Sequence, residues 1–222
     1  SLPFLDLVLG KPMGINLCKP SNHDTVNLRM LRLPCCNSGS VPNDFLREWV
    51  NLRSVDLAPL SGVTEIGNCF LLGCASLTAI DLAPLSTVSQ VGGGFLSFCG
   101  RLSAVDLTPL SPVTTVSFNF LRGCGVHAID LSPLSHVTTV ESCFLEECGL
   151  LTVIDLTPLS NATYVGEWFL RRCRGLTKVE LSPFAKTTQI TRYFLEECTG
   201  LVTVDFSGLS NVRELGSFSL GG

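Results

Sequence analysis

The apolar and polar positions of this chain recur with a period of about 25 residues. Each copy opens on an apolar residue, alternates apolar and polar positions around an acid, and closes with a Phe-Leu-x-x-Cys run in six of the copies. The acids are Asp56, Asp81, Asp106, Asp130, Asp155, Glu180 and Asp205, with successive separations of 25, 25, 24, 25, 25 and 25 residues. So regular a period indicates a structural repeat.

One copy predicts a short sequence of elements. Leu151, Ile154 and Leu156 are apolar around the charged Asp155, which is the alternation of a short strand with one buried face. Pro158 cannot donate to a sheet, so the chain must bend there. A second extended segment with apolar residues three positions apart follows. The closing Phe-Leu-x-x-Cys run, apolar at positions 1, 2 and 5, predicts a single helical or 3₁₀ turn.

A single copy is too small to bury its own apolar side chains. Parallel stacking of copies would place equivalent residues about 4.8 Å apart and join their Leu, Val, Phe and Cys side chains into one continuous core. We predict an N-terminal cap over residues 1–27 and an array over residues 28–222. The repeats are expected to begin near residues 28, 52, 77, 102, 126, 151, 176 and 201. No polar cap is visible at the C-terminal end, which favours either a longer chain or end-to-end association.

These motifs carry a family resemblance. The order Leu-x-x-Ile/Val-Asp-Leu-x-Pro-Leu, then Val-x-x-Val, then Phe-Leu-x-x-Cys resembles a leucine-rich repeat, most closely the BspA-like class. The resemblance implies a β-rich solenoid of α/β type, a horseshoe with a parallel concave sheet and short 3₁₀ or irregular turns on its convex side. It also implies protein recognition, without indicating a ligand. The family's usual alanine before the phenylalanine is replaced here by Cys69, Gly94, Asn119, Cys143, Trp168 and Tyr193.

Composition narrows the possible partners and compartments. The net charge of −4 argues against nucleic acid, and no apolar run is long enough for a membrane span. The first ten residues lack the basic region and cleavage site of a signal peptide. Six of the eleven cysteines share one repeat position, which favours buried free thiols facing backbone carbonyls. We therefore predict the cytoplasm or another reducing compartment, with the cell surface as the alternative.

The sequence shows no catalytic or metal-binding arrangement. Gly92, Gly93 and Gly94 lack the lysine and the strand context of a phosphate-binding loop. The three histidines have no visible nucleophile partner and do not complete a set of zinc ligands. We therefore predict a protein without enzymatic activity, resident metal or cofactor.

The column of seven acids, termed here the acidic column, is the first candidate binding surface. The other 12 acidic residues are outnumbered by 15 lysines and arginines, so the rest of the chain is formally +3. The negative charge is therefore concentrated in the column. Neighbouring carboxylates about 5 Å apart repel by roughly 1 to 3 kcal/mol. Two explanations stay open: hydrogen bonds from nearby Thr and Ser hydroxyls offset the repulsion, or a basic peptide or cation lies along the column.

Two further columns stand out near the closing run. The pairs Glu146-Glu147, Arg171-Arg172 and Glu196-Glu197 occupy equivalent places, which predicts exposed ion pairs between repeats worth about 0 to 1 kcal/mol each. Trp168 and Tyr193 are secondary candidates as aromatic binding anchors, although core packing is the commoner role. The leading hypothesis is a recognition module that binds a basic protein segment through the acidic column. The alternative is a scaffolding or surface-adhesion array that uses its ends and convex loops.

Overall fold

The computed structural model describes residues 30–32 and 39–217. The predicted cap over residues 1–27 and the chain after Ser217 lie outside these ranges. The described strands are β1 (Met30–Arg32), β2 (Ser40–Val41), β3 (Ser54–Asp56), β4 (Glu65–Ile66), β5 (Gln90–Val91), β6 (Thr115–Val116), β7 (Thr139–Val140), β8 (Tyr164–Val165), β9 (Lys178–Glu180), β10 (Gln189–Ile190), β11 (Thr203–Asp205) and β12 (Glu214–Leu215). The 3₁₀ helices are η1 (Ala58–Leu60), η2 (Ala83–Leu85), η3 (Thr108–Leu110), η4 (Ser132–Leu134), η5 (Thr157–Leu159), η6 (Ser182–Phe184) and η7 (Ser207–Leu209).

Successive repeats stack as parallel rungs. Every strand pairing joins equivalent positions of two repeats, so that Val41 lies opposite Ile66 and Ile66 opposite Val91. The described sheets are small: β1-β3, β2-β4-β5, β6-β7-β8, β9-β11 and β10-β12. Each 3₁₀ helix also contacts the helix of the next rung. The predicted solenoid of parallel strands and short 3₁₀ turns is confirmed.

The strand around the acid is less continuous than the repeat pattern predicts. Within the described residues it forms as β1, β3, β9 and β11, whereas the equivalent segments of the four central repeats are not strands. Three of those segments carry alanine, a poor strand residue, two positions before the acid, at Ala79, Ala104 and Ala128. The second extended segment is paired more regularly, as β2, β4 to β8, β10 and β12.

The helical turns form at the bend after the first strand, before the second extended segment, and not at the closing run. They occupy the x-Pro-Leu tripeptides in five rungs and the Ser-Pro-Phe tripeptide Ser182–Phe184 in a sixth, because proline fixes the φ that a 3₁₀ turn needs. The prediction of a helical turn at Phe-Leu-x-x-Cys is wrong. In that segment Trp168, Leu170 and Arg172 have φ of 59°, 52° and 60°. Every second residue of the run is therefore in the left-handed region. A right-handed helix cannot contain this alternation, and the segment is a series of turns instead.

Two side-chain ladders run through the core, beside many buried Leu and Val side chains. The rings of Phe45, Phe70, Phe95, Phe120, Phe144, Phe169 and Phe194 stack with centroids 5.1 to 6.1 Å apart. Beside them, the thiols of Cys74, Cys99, Cys124, Cys148, Cys173 and Cys198 each donate to a leucine carbonyl of the preceding rung at 3.0 to 3.3 Å. The cysteine column is therefore the predicted ladder of buried thiols facing backbone carbonyls.

Candidate functional site

The acidic column is present as a surface feature of consecutive rungs. Six of its carboxylates are exposed and Asp205 is half-buried. In the strand register Asp205 lies opposite Glu180, and the charge of Asp130 acts on both Asp106 and Asp155. The stacking therefore brings together acids that are 24 or 25 residues apart in the sequence.

The aspartates of the column also have a local structural role. In each, Oδ1 accepts a hydrogen bond from the N–H of the residue two positions later, which is the first residue of a 3₁₀ helix and has no partner inside that helix. Oδ1 of Asp56, Asp81, Asp106, Asp130, Asp155 and Asp205 accepts from Ala58, Ala83, Thr108, Ser132, Thr157 and Ser207, respectively, at 2.8 to 3.0 Å. Glu180 differs, since its carboxylate pairs with Lys178 at 2.6 Å. The hydrogen bond that each aspartate accepts from the first N–H of a 3₁₀ helix explains why aspartate dominates the column.

Hydroxyl groups stabilise several of these charges. A hydrogen bond from the Thr108 side chain, followed by the bond from its backbone N–H, lowers the pKa of Asp106. Ser132 and Thr157 lower the pKa values of Asp130 and Asp155 in the same way. The predicted offset of carboxylate repulsion by Thr and Ser hydroxyls is therefore present, and whether the column also binds a partner stays a prediction.

The centre of the column has no cationic partner within the described residues. Asp81, Asp106, Asp130 and Asp155 form no ion pair with the lysines and arginines of that part of the chain. The residue two positions after Asp81 is Ala83, so Asp81 also lacks the side-chain hydroxyl that Thr108 supplies to Asp106. Four successive rungs thus present negative charge that the described basic residues do not neutralise.

The ion pairs between rungs form as predicted, but they are less exposed than the sequence indicated. Arg171 contacts Glu146 at 3.1 Å, Glu196 at 2.5 Å and Glu197 at 3.1 Å. The Glu146 side chain is only 2% exposed. Sequence reasoning missed Arg122, which lies 3.1 Å from Glu146 on its other side. The signal was available, since Arg122 holds the same repeat position as Glu146, Arg171 and Glu196.

The two aromatic candidates form one half-buried pair. Trp168 and Tyr193 stack with ring centroids 5.6 Å apart and an interplanar angle of 6°, and Arg171 Cζ lies 5.9 Å from the Tyr193 centroid. Both residues have φ close to 60°, a conformation that bulky residues rarely adopt. The pair is therefore a ladder on the flank of the core and not a freely exposed patch, and its role as a binding anchor stays a prediction.

The cysteine ladder predicts a specific pattern of thiol reactivity. Burial raises the pKa of Cys74 and Cys148 to about 12 and that of Cys198 to about 11. At pH 8 these groups stay protonated, and the thiolate is the reactive form. We expect a thiol reagent such as 5,5′-dithiobis(2-nitrobenzoic acid) to leave the six ladder thiols unmodified in the folded protein and to modify all of them in denaturant.

Cys69 provides the internal comparison, because its side chain is half-buried. It should react with the reagent before any ladder cysteine does. Cys69→Ser should remove this early reaction and leave the reaction of the ladder cysteines unchanged. Rapid modification of all thiols under native conditions would contradict the buried ladder. Disulfides in the native protein would contradict the predicted reducing compartment.

Within residues 30–32 and 39–217, no group of three or more His, Cys, Asp or Glu side chains is arranged to hold a metal ion. The same part of the chain contains no helix with the length and apolar character needed to cross a membrane.

The stacked parallel rungs, the phenylalanine ladder and the cysteine ladder define a leucine-rich-repeat solenoid. The family model described as the BspA type leucine rich repeat region matches residues 24–148 and 108–220, with six copies. The chain belongs to this family. Leucine-rich repeats of this kind typically serve protein–protein interaction or adhesion and are generally non-catalytic.

The chain is also similar to several solved structures. The chain is similar to the leucine-rich repeat protein of T. pallidum, with 18% identity and a TM-score of 0.43 over 84% of this chain and 72% of that one. It is similar to a leucine-rich repeat protein of Bacteroides ovatus, with 16% identity and a TM-score of 0.34 over 85% of this chain and 75% of that one. It is also similar to the functional domain of InlJ from Listeria monocytogenes, which includes a cysteine ladder. The identity is 16% and the TM-score 0.45, over 85% of this chain and 44% of that one. A comparison with curated proteins finds no match.

Proposed function

We propose that this chain is a protein-recognition module that binds a basic, extended segment of a partner along the acidic column. The observation that carries the proposal is the row of exposed carboxylates at Asp81, Asp106, Asp130 and Asp155, which form no ion pair with the described basic residues. A cationic ligand would neutralise charges that repel one another across neighbouring rungs.

The length of the column suits a short peptide. The rings of the phenylalanine ladder typically lie 5.4 Å apart, and at that spacing the five acids from Asp56 to Asp155 span about 22 Å. About seven residues of extended chain cover that distance. Small side chains such as Ala79 and Ala104 lie two positions before the acids, which leaves room for a backbone to approach.

Lysine and arginine side chains on one face of an extended chain are separated by about 6.7 Å, which differs from the rung spacing. The proposed contact is therefore electrostatic and tolerant of sequence, with no fixed register. Its affinity is expected to fall as salt screens the exposed charges.

The test is charge neutralisation with the local fold preserved. In the variant D106N/D130N/D155N each asparagine keeps an oxygen that can accept the N–H of residue 108, 132 or 157. We expect this variant to bind a synthetic ten-residue peptide of alternating lysine and serine at least tenfold more weakly than the parent chain at low salt. Fluorescence anisotropy of the labelled peptide measures the change, and circular dichroism checks the fold.

The matched control removes three negative charges elsewhere. Glu65, Glu167 and Glu214 lie outside the column, and their joint replacement by glutamine leaves it intact. The control is expected to retain most of the affinity. Equal affinity of the parent and the asparagine variant, with both folded, would exclude the acidic column as the binding surface.

A further inference from the structure

A groove of about 880 Å³ lies on a different surface from the acidic column. It crosses four consecutive rungs along β2, β4, β5 and β6, and none of the acids in the column lines it. Its volume falls in the range of about 300 to 1,000 Å³ that is typical of ligand sites. The family assignment does not account for a groove at this position.

Two glycines form the floor of the groove. A Cβ atom at Gly67 would lie 2.6 Å from the backbone nitrogen of Asn43, and one at Gly92 would lie 2.6 Å from that of Asn68. No side chain could therefore stand there without moving the neighbouring rung. Ser117 holds the same repeat position in the next rung, so the glycine floor ends at that residue.

A ladder of asparagine amides lines the groove. Oδ1 of Asn43 accepts the N–H of Asn68 at 2.7 Å, and Oδ1 of Asn68 accepts the N–H of Gly93 at 2.8 Å. These bonds fix the orientation of both exposed amides and leave each Nδ2 group as a donor one rung from the next. The donors are thus preorganised before any ligand arrives.

A second row of polar groups follows the strands. Glu65, Gln90 and Thr115 hold the same exposed position on β4, β5 and β6, and all three line the groove. They offer a carboxylate, an amide and a hydroxyl on successive rungs. Serine and threonine hydroxyls supply much of the remaining polar lining.

An aromatic ring stands beside the last of these rungs. Phe118 follows the lining residue Ser117 and is 45% exposed. Its ring packs directly over Gly93, where a Cβ atom would lie 2.3 Å from the ring carbons. A partly exposed aromatic face next to a polar groove can stack against the apolar face of a sugar ring.

The chemistry of the lining selects the ligand class. Glu65 is the one charged residue among the lining side chains of the described chain, so a highly charged ligand finds no counter-charges there. The donors and acceptors on successive rungs instead match a ligand that carries hydroxyl groups at regular intervals. The paired strands β2, β4 and β5 lie about 4.8 Å apart, which is close to the length of one pyranose unit in an extended glycan. We infer that this groove binds a neutral, linear oligosaccharide, with about one sugar on each rung.

The experiment uses uncharged hexasaccharides as probes, namely cellohexaose, xylohexaose and the hexamer of N-acetylglucosamine, with titration followed by calorimetry. We expect the parent chain to bind at least one of them. Gln90→Arg places a bulky side chain in the groove and should weaken that binding at least tenfold. The matched control is Gln189→Arg, because Gln189 holds the same exposed repeat position on β10 outside the groove and should leave binding unchanged.

A second variant tests the amide donors. N43D/N68D keeps an oxygen for the N–H of residues 68 and 93 but removes both Nδ2 donors, and it should also weaken binding at least tenfold. The variant D106N/D130N/D155N should bind the sugars normally, so failure of this inference is distinguishable from failure of the proposed peptide site.

Three results would overturn the inference. The first is the absence of binding to all three sugars at millimolar concentration. The second is equal binding by the parent and Gln90→Arg. The third is tighter binding of an uncharged serine and asparagine peptide than of any sugar, which would make the groove a peptide site.

Discussion

Replacing Phe144 by alanine is expected to lower the free energy of unfolding by about 4 kcal/mol. The ring is fully buried and stacks on Phe120 at 6.1 Å and on Phe169 at 5.4 Å between centroids. Alanine would leave a cavity in the middle of the ladder, where two neighbouring rungs hold the backbone in place and limit collapse. Urea denaturation followed by circular dichroism measures the change.

Two comparisons make this prediction specific. Phe144→Leu keeps most of the apolar volume and should cost much less than Phe144→Ala, because the remaining cavity is smaller. Phe118→Ala removes a ring that is 45% exposed and should cost less than about 1 kcal/mol. If Phe144→Ala and Phe118→Ala had similar effects, the ladder would not be the core of the array.

Replacing Glu146 by alanine is expected to cost about 3 kcal/mol, which is the second-largest effect. Glu146 is 2% exposed and lies between Arg122 and Arg171, each 3.1 Å from one of its carboxylate oxygens. Its removal leaves Arg122 with one remaining carboxylate contact, to Glu147, in a partly buried position. The loss of a partner from a buried pair is costly, because the remaining charge keeps its desolvation penalty.

The adjacent residue is a matched control. Glu147 is 30% exposed and also contacts Arg122, at 2.8 Å. Glu147→Ala should cost less than about 1 kcal/mol, because partly exposed ion pairs are weak and are screened by salt. Thermal unfolding of both variants at low and high salt gives the comparison. A loss of stability that is equal for the two residues would contradict the different burial of these carboxylates.

The architecture could be predicted because each rung repeats the same apolar positions. Leu151, Phe169 and Cys173 recur at fixed spacing, and only stacking of equivalent rungs can bury all of these columns. The local geometry of the closing run could not be predicted in this way. Apolar spacing alone does not report that Leu170 has a positive φ, and the same spacing therefore suggested a helical turn.

The candidate sites also differ in how much of each could be predicted from the sequence. The acidic column follows from the period, since parallel rungs align Asp106, Asp130 and Asp155. The role of each carboxylate in accepting the first N–H of a 3₁₀ helix was not visible, because that helix was predicted elsewhere. The groove beside Asn43 and Asn68 also needed the structure, since it depends on contacts between residues 25 positions apart.

The sequence by itself determined the repeat, the stacking of its units and the residues that form each ladder, because a 25-residue period leaves one register that buries all apolar columns. The tertiary structure decided which polar residues are exposed. Asp155 and Glu146 are both acids at fixed repeat positions, yet one is exposed and the other is buried between two arginines. Their difference comes from the side chains that neighbouring rungs place around them, which no single repeat contains.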